Sequence, residues 1–524
     1  MKKVFTFSFF IFFLASCSSE NLRIGPSGVT YQATEEVEEA TPGYEEDVDA
    51  EANPIEMDEV KQLIIEETNV LNLSMRPPQT LNPLLNEDIT VARILRLMFE
   101  PLVIIDNEFR VINHLAELEF ASDFSFVMVN IRNDAIWSDG RPVTSDDLIY
   151  SVEVLRNSPV NVIYHQNVQN INEIVQINSK SVQIFFNVPS FLAVYDLAFP
   201  IIPINFNEMN PIGNGSFIFH EKNTLRSITL VSNPLSFRGR ALIDKIEVVF
   251  LPDSETDLFA FDRARIDVKK MPLTQWSRHH SAKTPNYEII PAMDFEFIGF
   301  NFNDSTFRDV HVRQGIAHIF NIEEAFSAIY MSHGVSSISP IHPYNWASSS
   351  ESNMPVFDPS RGTALLGNVS RASQLTILVN DDNLQRVSIA ERLSNSLNEI
   401  GISSKVESVS NEEYFRRLDV FDFDLFIGGV TLPFAPSMGF LQNHGNLFLQ
   451  DHVLANSFSN ILVASTENAY LQAIAAFEKI FAERLPVIGL GFRHTALLSN
   501  ERLIGSLNPM PDHIFANTGV WEFR

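Results

Sequence analysis

The sequence predicts an α/β protein of two unlike lobes, built from mixed sheets with helices packed on them. Two observations carry this. Up to about residue 290, short strand-like runs dominate and long helical patterns are few. After about residue 295, apolar strands alternate with amphipathic helices, the order that lays helices on a parallel or mixed sheet.

The folded body begins near Val70. Val70–Ser74 alternates like a half-buried strand, and Arg76-Pro77-Pro78 ends it because proline donates no ladder hydrogen bond. Phe124–Ile131 is a second strand. Asp139-Gly140 makes a tight turn, and Pro142-Val143 leads to Thr144, a helix N-cap with Asp147 three residues on as its reciprocal partner. Leu148, Val152 and Leu155 fall on one face of that helix. Val182–Phe186, Ser227–Val231 and Lys245–Phe250 complete the strands of the first lobe.

In the second lobe a helix is expected over Asp309–Met331, with Val312, Ile316, Ile319 and Phe320 inward. Leu375–Val379 is a buried strand ending in Asn380-Asp381-Asp382, which caps the next helix. That helix carries Ile389, Leu393, Leu397 and Ile400, with Gly401 at the left-handed C-terminal position. Lys405–Ser408 and Asp424–Ile427 read as strands around a short helix, Asn411–Leu418. A last helix, Thr466–Arg484, shows Tyr470, Ile474, Phe477 and Phe481 on one stripe.

The N-terminus is an address, not part of the fold. Lys2 and Lys3 precede the apolar run Val4–Leu14, too short for a permanent bilayer span, and Leu14-Ala15-Ser16-Cys17 follows. This ending resembles the bacterial lipobox, which implies that Cys17 is acylated and becomes the first mature residue. Residues 18–66 then read as an extended acidic tether, since the run from Glu35 to Glu59 is rich in like charges and poor in large apolar groups. The protein is expected outside the cell, lipid-anchored to a membrane.

Composition removes several classes of function. Cys17 is the only cysteine, so thiol nucleophiles, zinc thiolate sites and redox pairs are not expected. With 65 acidic against 37 basic residues and a net charge of −28, nucleic acid is not an expected partner. Gly-x-Ser-x-Gly does not occur, and His279-His280 lacks the spacing of a zinc motif. Asp139, Asp146 and Asp147 are carboxylates in a turn and a cap. No catalytic residue, metal or cofactor is expected.

Trp137-Ser138-Asp139-Gly140-Arg141-Pro142-Val143-Thr144-Ser145-Asp146-Asp147-Leu148 resembles the signature of family 5 extracellular solute-binding proteins, the oligopeptide-, dipeptide- and nickel-binding components of ABC importers. Other stretches agree in order: Thr80–Pro83, Pro211–Phe217 with Asn233-Pro234, Arg265–Val268, Phe300–Asn303, Asp309–Gln314, Phe357–Pro359 and Asp422–Asp424. The resemblance implies a periplasmic-binding-protein-like fold of the type II, cluster C kind. Residues 67–296 and 494–524 would form the first lobe and 297–493 the second, hinged at Phe297–Asn301 and Pro486–Arg493. A monomer would close over a peptide or other small solute and deliver it to a membrane permease.

Peptide binders of this family commonly present an aspartate in the loop after the Asp422–Asp424 strand. Here Gly428–Pro436 contains no acid. The expected ligand-binding residues are Met75 and Arg76 after the opening strand, and Phe300 and Asn301 at the crossing. The second lobe would add Asn345, Trp346, Thr431 and Phe434. A ligand with an anionic or neutral polar group would meet Arg76 and stack on Trp346 or Phe434. The alternative readings are a solute-sensing receptor of the same fold without transport, and an exported enzyme.

Overall fold

The structure, a computed structural model, describes residues 69–223, 225–272, 286–349, 354–367, 369, 374–442 and 451–524. Cys17, the acidic tether and His279-His280 lie outside the described residues.

The first lobe holds two four-stranded sheets. One is ordered Val70–Met75, Lys245–Phe250, Ser227–Ser232, Phe217–Asn223, with the first pair parallel and the others antiparallel. The other is wholly antiparallel: Ala116–Phe120, Phe126–Ile131, Ser181–Phe186, Ile171–Asn178. Alternation in Val70–Met75 buries Leu71, Leu73 and Met75 on one face. They join Trp137, Leu148, Val152 and Leu155 in one core, which also takes up Leu503, Leu507, Phe515 and Trp521 of the C-terminal tail. The tail therefore packs with the first residues of the body.

The helix Ser145–Arg156 begins as expected. Asp147 Oδ2 accepts from the Thr144 amide at 2.8 Å and from the Thr144 hydroxyl at 3.0 Å. It also accepts from Trp137 Nε1 at 3.1 Å, while Oδ1 accepts from the Ile204 amide at 2.9 Å. This carboxylate is a structural hub. Nearby, the chain at Gly213 runs against the first-lobe helix end, and a Cβ there would lie 2.2 Å from the Met98 carbonyl oxygen.

A seven-stranded mixed sheet carries the second lobe and reaches into the first, whose core takes up Val268, Ile290 and Leu497 from three of its strands. Its order is Ser404–Val409, Leu375–Asn380, Leu425–Thr431, Asn286–Phe300, Ile488–Ser499, Val268–Pro272, with Gly334–Val335 also paired to Ile488–Ser499. Leu375–Asn380 is parallel to both of its neighbours, and the remaining pairs are antiparallel. The helix Leu384–Glu399 is capped by Asn383, and Gly401 takes φ +81 beyond its end. Glu467–Arg484 starts at Thr466, whose hydroxyl accepts from the Ala469 amide at 3.1 Å.

One expected helix is divided. Asp309–Met331 becomes Val310–Ile319 and Ile322–Ile329, with Phe320 extended at ψ 117 and Asn321 capping the second piece through its side chain. The apolar period survives across the break because both helices face the same core.

Asn286–Phe300 and Ile488–Ser499 run side by side between the lobes, with register shifts between Pro291 and Asp294 and between Glu296 and Phe297; the ladder changes partners at the first. Before that shift, their outer partner is Val268–Pro272; after it, the partners are Leu425–Thr431 and Gly334–Val335. The expected crossing at Phe297–Asn301 begins at the second register shift, between Glu296 and Phe297. Phe297 is paired to Gly428 and Gly489 there. A long unbroken strand conceals the change of partners in sequence, because its apolar pattern continues through it.

Candidate functional site

The lobes meet over aromatic side chains, and the centre of the contact is the tip of a small hairpin. Val103–Ile105 and Val111–Asn113 pair antiparallel, and the chain turns over Asp106–Arg110. Asp106 Oδ1 accepts from the amides of Glu108 at 2.9 Å and Arg110 at 2.8 Å, which tightens the turn. The turn forces Phe109 to φ 61, a left-handed conformation that is an outlier for a bulky residue and costs about 1–2 kcal/mol.

The tip is clamped from both sides. Tyr195 of the first lobe donates to the Phe109 carbonyl at 2.8 Å, and the Trp346 amide donates to the Glu108 carbonyl at 3.0 Å. The Phe109 ring is fully buried, 4.9 Å from the His342 ring and stacked at 6.0 Å on Phe434. Burying a ring of this size contributes about 1.5–3 kcal/mol, enough to hold the strained turn. Beside it Phe191 stacks on Tyr470 at 4.6 Å, Arg110 lies 4.6 Å over Trp346, and the Phe191 amide donates to the Ala464 carbonyl at 2.6 Å.

Behind this wall lies a buried charge cluster on the crossing strands. Glu296 accepts two hydrogen bonds from Arg386 and is 2.9 Å from Arg493 Nε. Asp294, on the same strand face two residues earlier, lies 3.6 Å from Arg493 and accepts from the Thr431 hydroxyl. Burial alone would raise the Asp294 pKa, but Arg493 and the Thr431 hydroxyl outweigh it and hold the carboxyl below its usual value. Gly429 is glycine because a Cβ would lie 2.2 Å from Arg386 Nη2 and 2.7 Å from Glu296 Oε1.

A two-lobed α/β body with lobes apposed across paired crossing strands is the architecture that the sequence resemblance implies. The family described as bacterial extracellular solute-binding proteins, family 5 Middle, matches residues 110–447, more than half of the chain. The chain belongs to that family. This family 5 protein is 23% identical to the oligopeptide-binding protein AppA of Bacillus subtilis over 400 residues, covering 69% of this chain and 73% of AppA. Among solved structures it is similar to the ABC transporter substrate-binding protein CtaP of Listeria monocytogenes. That likeness has a TM-score of 0.75 at 18% identity, over 87% of this chain and 99% of CtaP. It is also similar to Bacillus subtilis AppA in complex with a nonapeptide, with a TM-score of 0.62 at 18% identity over 87% and 99%. These likenesses place the fold among two-lobed periplasmic binding proteins.

The structure brings together only part of the expected ligand set. Trp346 and Phe434 both lie at the lobe interface, against Phe191 and Phe109. Thr431 is exposed beside them and bonded to Asp294. Asn345 is spent locally, its Oδ1 accepting from the Ala347 amide at 2.9 Å to shape the turn that presents Trp346.

The other four are elsewhere. Met75 points into the first-lobe core, because strand alternation puts it on the same face as Leu71 and Leu73. Arg76 is half-exposed and lies 3.6 Å from Asp88. Phe300 is fully buried against Phe302 and Phe307 in the second-lobe core, and Asn301 donates to the carbonyls of Phe421 and Phe423. Being at the far end of the crossing strand, this pair braces the lobe and does not face its partner.

Sequence reading missed Phe109, Arg110, Phe191, His342 and Tyr470 as an interface. The signal at Phe109 was slight: a five-residue turn, Asp106-Asn107-Glu108-Phe109-Arg110, with an aromatic where polar residues are usual. Among the described residues, no group of three or more His, Cys, Asp or Glu is placed to hold a metal.

Proposed function

We propose that this protein is the substrate-binding lipoprotein of an ABC importer, capturing a peptide or similar small solute between its lobes and passing it to a membrane permease. The observation that carries this is the aromatic interface that closes beyond the paired crossing strands. Ligands of two-lobed proteins are buried in such a place, and closure needs only a few hinge residues. The relative named an oligopeptide-binding protein, and its structure with a nonapeptide, favour a peptide as the solute. The hinge is assigned to Pro291–Asp294 with Arg493-His494, where the ladder changes partners.

The acid absent from Gly428–Pro436 has a substitute nearby. Asp294 sits beside Thr431 on the neighbouring strand and offers a carboxylate to a ligand's ammonium. Cys17 would carry the lipid, the acidic segment would hold the body off the membrane, and the protein would act as a monomer at the cell envelope.

Native mass spectrometry of the gently purified protein, paired with solution scattering in a tryptic digest of casein, tests this. The expected result is a retained peptide mass, or a smaller radius of gyration on adding the digest. A bare chain whose radius ignores the digest overturns the peptide-binding reading.

A further inference from the structure

We propose that Phe109 occupies a subsite for a planar apolar group carrying a neutral oxygen acceptor, and that ligand entry replaces this ring with the ligand's own. The proposal rests on the reading of the lobe interface as the ligand cleft. Phe109 is on a turn, not on a regular element, and holds a left-handed backbone at φ 61. Its position is maintained by what its ring fills, and such strain collects at sites that rearrange. A side chain held so can withdraw without unpairing a sheet.

The surfaces it covers are those of a binding site. His342 is fully buried, with its ring 4.9 Å from Phe109 and 4.5 Å from Phe492. Its Nδ1 accepts from the Tyr344 amide at 3.0 Å, so the neutral ring carries its proton on Nε2. That Nε2 has no partner among the described residues. Burial, with His494 nearby, pushes the imidazole down to about 3, so the ring is a neutral donor at physiological pH. His494 Nε2 is likewise buried without a partner, and the His494 ring lies 5.7 Å from Tyr344. A buried unmade hydrogen bond is expensive, and Phe109 cannot make one.

With Phe109 withdrawn, the rings it leaves uncovered are Phe434 and His342, and Phe492 and Tyr344 pack on that imidazole. Aromatic walls take a flat ring, and a lone N–H donor selects an uncharged acceptor on it. Tyr195 and Trp346 hold the turn by its backbone oxygens, so they tether the tip whichever ring fills the site.

The test uses p-cresol, toluene and p-toluate as probes in calorimetry on the chain from residue 18 onward, acidic segment included. Phe109→Ala should bind p-cresol at least tenfold more tightly than the wild type, and more tightly than toluene or p-toluate. Adding His342→Phe to Phe109→Ala should abolish the preference for p-cresol over toluene. Phe109→Gly, which also relieves the turn, serves as a second background if the alanine variant folds poorly. Toluene binding as well as p-cresol marks an ordinary apolar cavity and overturns the proposal, as does p-cresol binding unaffected by His342→Phe. A radius that still shrinks with the casein digest while no probe binds Phe109→Ala defeats this subsite alone and leaves the cleft reading intact.

Discussion

Arg386 donates to both carboxylate oxygens of Glu296, Nε to Oε2 at 2.7 Å and Nη2 to Oε1 at 3.1 Å, across a separation of 90 residues. The pair is buried and joins the helix Leu384–Glu399 to the crossing strand. Glu296→Gln would leave the buried Arg386 guanidinium facing a neutral amide and Arg493 with Asp294 alone. Urea unfolding should register a loss of about 3–5 kcal/mol. A change under 1 kcal/mol would show that the pair is not closed in solution.

Asp147 gathers four hydrogen bonds, from the Thr144 amide and hydroxyl, Trp137 Nε1 and the Ile204 amide. Asp147→Ala leaves buried donors unpaired and removes a helix cap, so a loss of about 2–4 kcal/mol is expected. Differential scanning calorimetry should show a clearly lower midpoint, with ligand affinity at low temperature unchanged. An unaltered midpoint would contradict the hub role.

Gly213→Ala places a Cβ 2.2 Å from the Met98 backbone oxygen, which cannot move as a side-chain tip would. Soluble expression should fall sharply, or the midpoint of thermal unfolding should drop by several degrees. Gly140→Ala is the control, since nothing lies within 4 Å of that Cβ and only its φ of +85 opposes the change. Equal behaviour of the two variants would refute the close-approach account.

The pH dependence of stability carries a signature of His342. Its folded pKa of about 3 lies below the ordinary 6.5, so the unfolded chain binds the proton more readily. The stabilisation it contributes is present above about pH 6.5 and is lost as pH falls toward 3. His494, beside it, is lowered too, chiefly by burial, and adds in the same direction. The difference in unfolding free energy between wild type and His342→Phe should rise between pH 3 and 6.5, by at most about 1.4 kcal/mol per pH unit. It should be flat above pH 7. A flat difference throughout would mean that the imidazole is not desolvated.

Cys17→Ala should release the protein from the membrane fraction, or leave it as an unprocessed precursor, while the body from Val70 stays folded. Fractionation with circular dichroism reads both. Membrane retention at the wild-type level would sink the lipid-anchor reading.

The elements legible in the sequence were those with a local cause. Tyr470, Ile474, Phe477 and Phe481 recur at helical spacing and lie buried on Glu467–Arg484, and Thr144 with Asp147 capped a helix from three residues apart. The division at Phe320-Asn321 was hidden because one apolar period served two helices. Trp346 and Phe434 are half-buried on loops against Phe191 and Phe109, whereas Phe300 packs in the second-lobe core and Asn301 bonds to the carbonyls of Phe421 and Phe423; one aromatic-and-amide composition serves both places, so local sequence does not separate them.

By itself the sequence determined the α/β class, the strand and helix periods, the acidic leader segment and the family resemblance, all of which rest on residues close together along the chain. Only the tertiary structure decided where the lobes meet. Phe109 finds His342 and Phe434, and Glu296 finds Arg386, across separations that no local pattern encodes. Such partners are chosen by how whole sheets pack and by which buried charges and rings are left to satisfy one another.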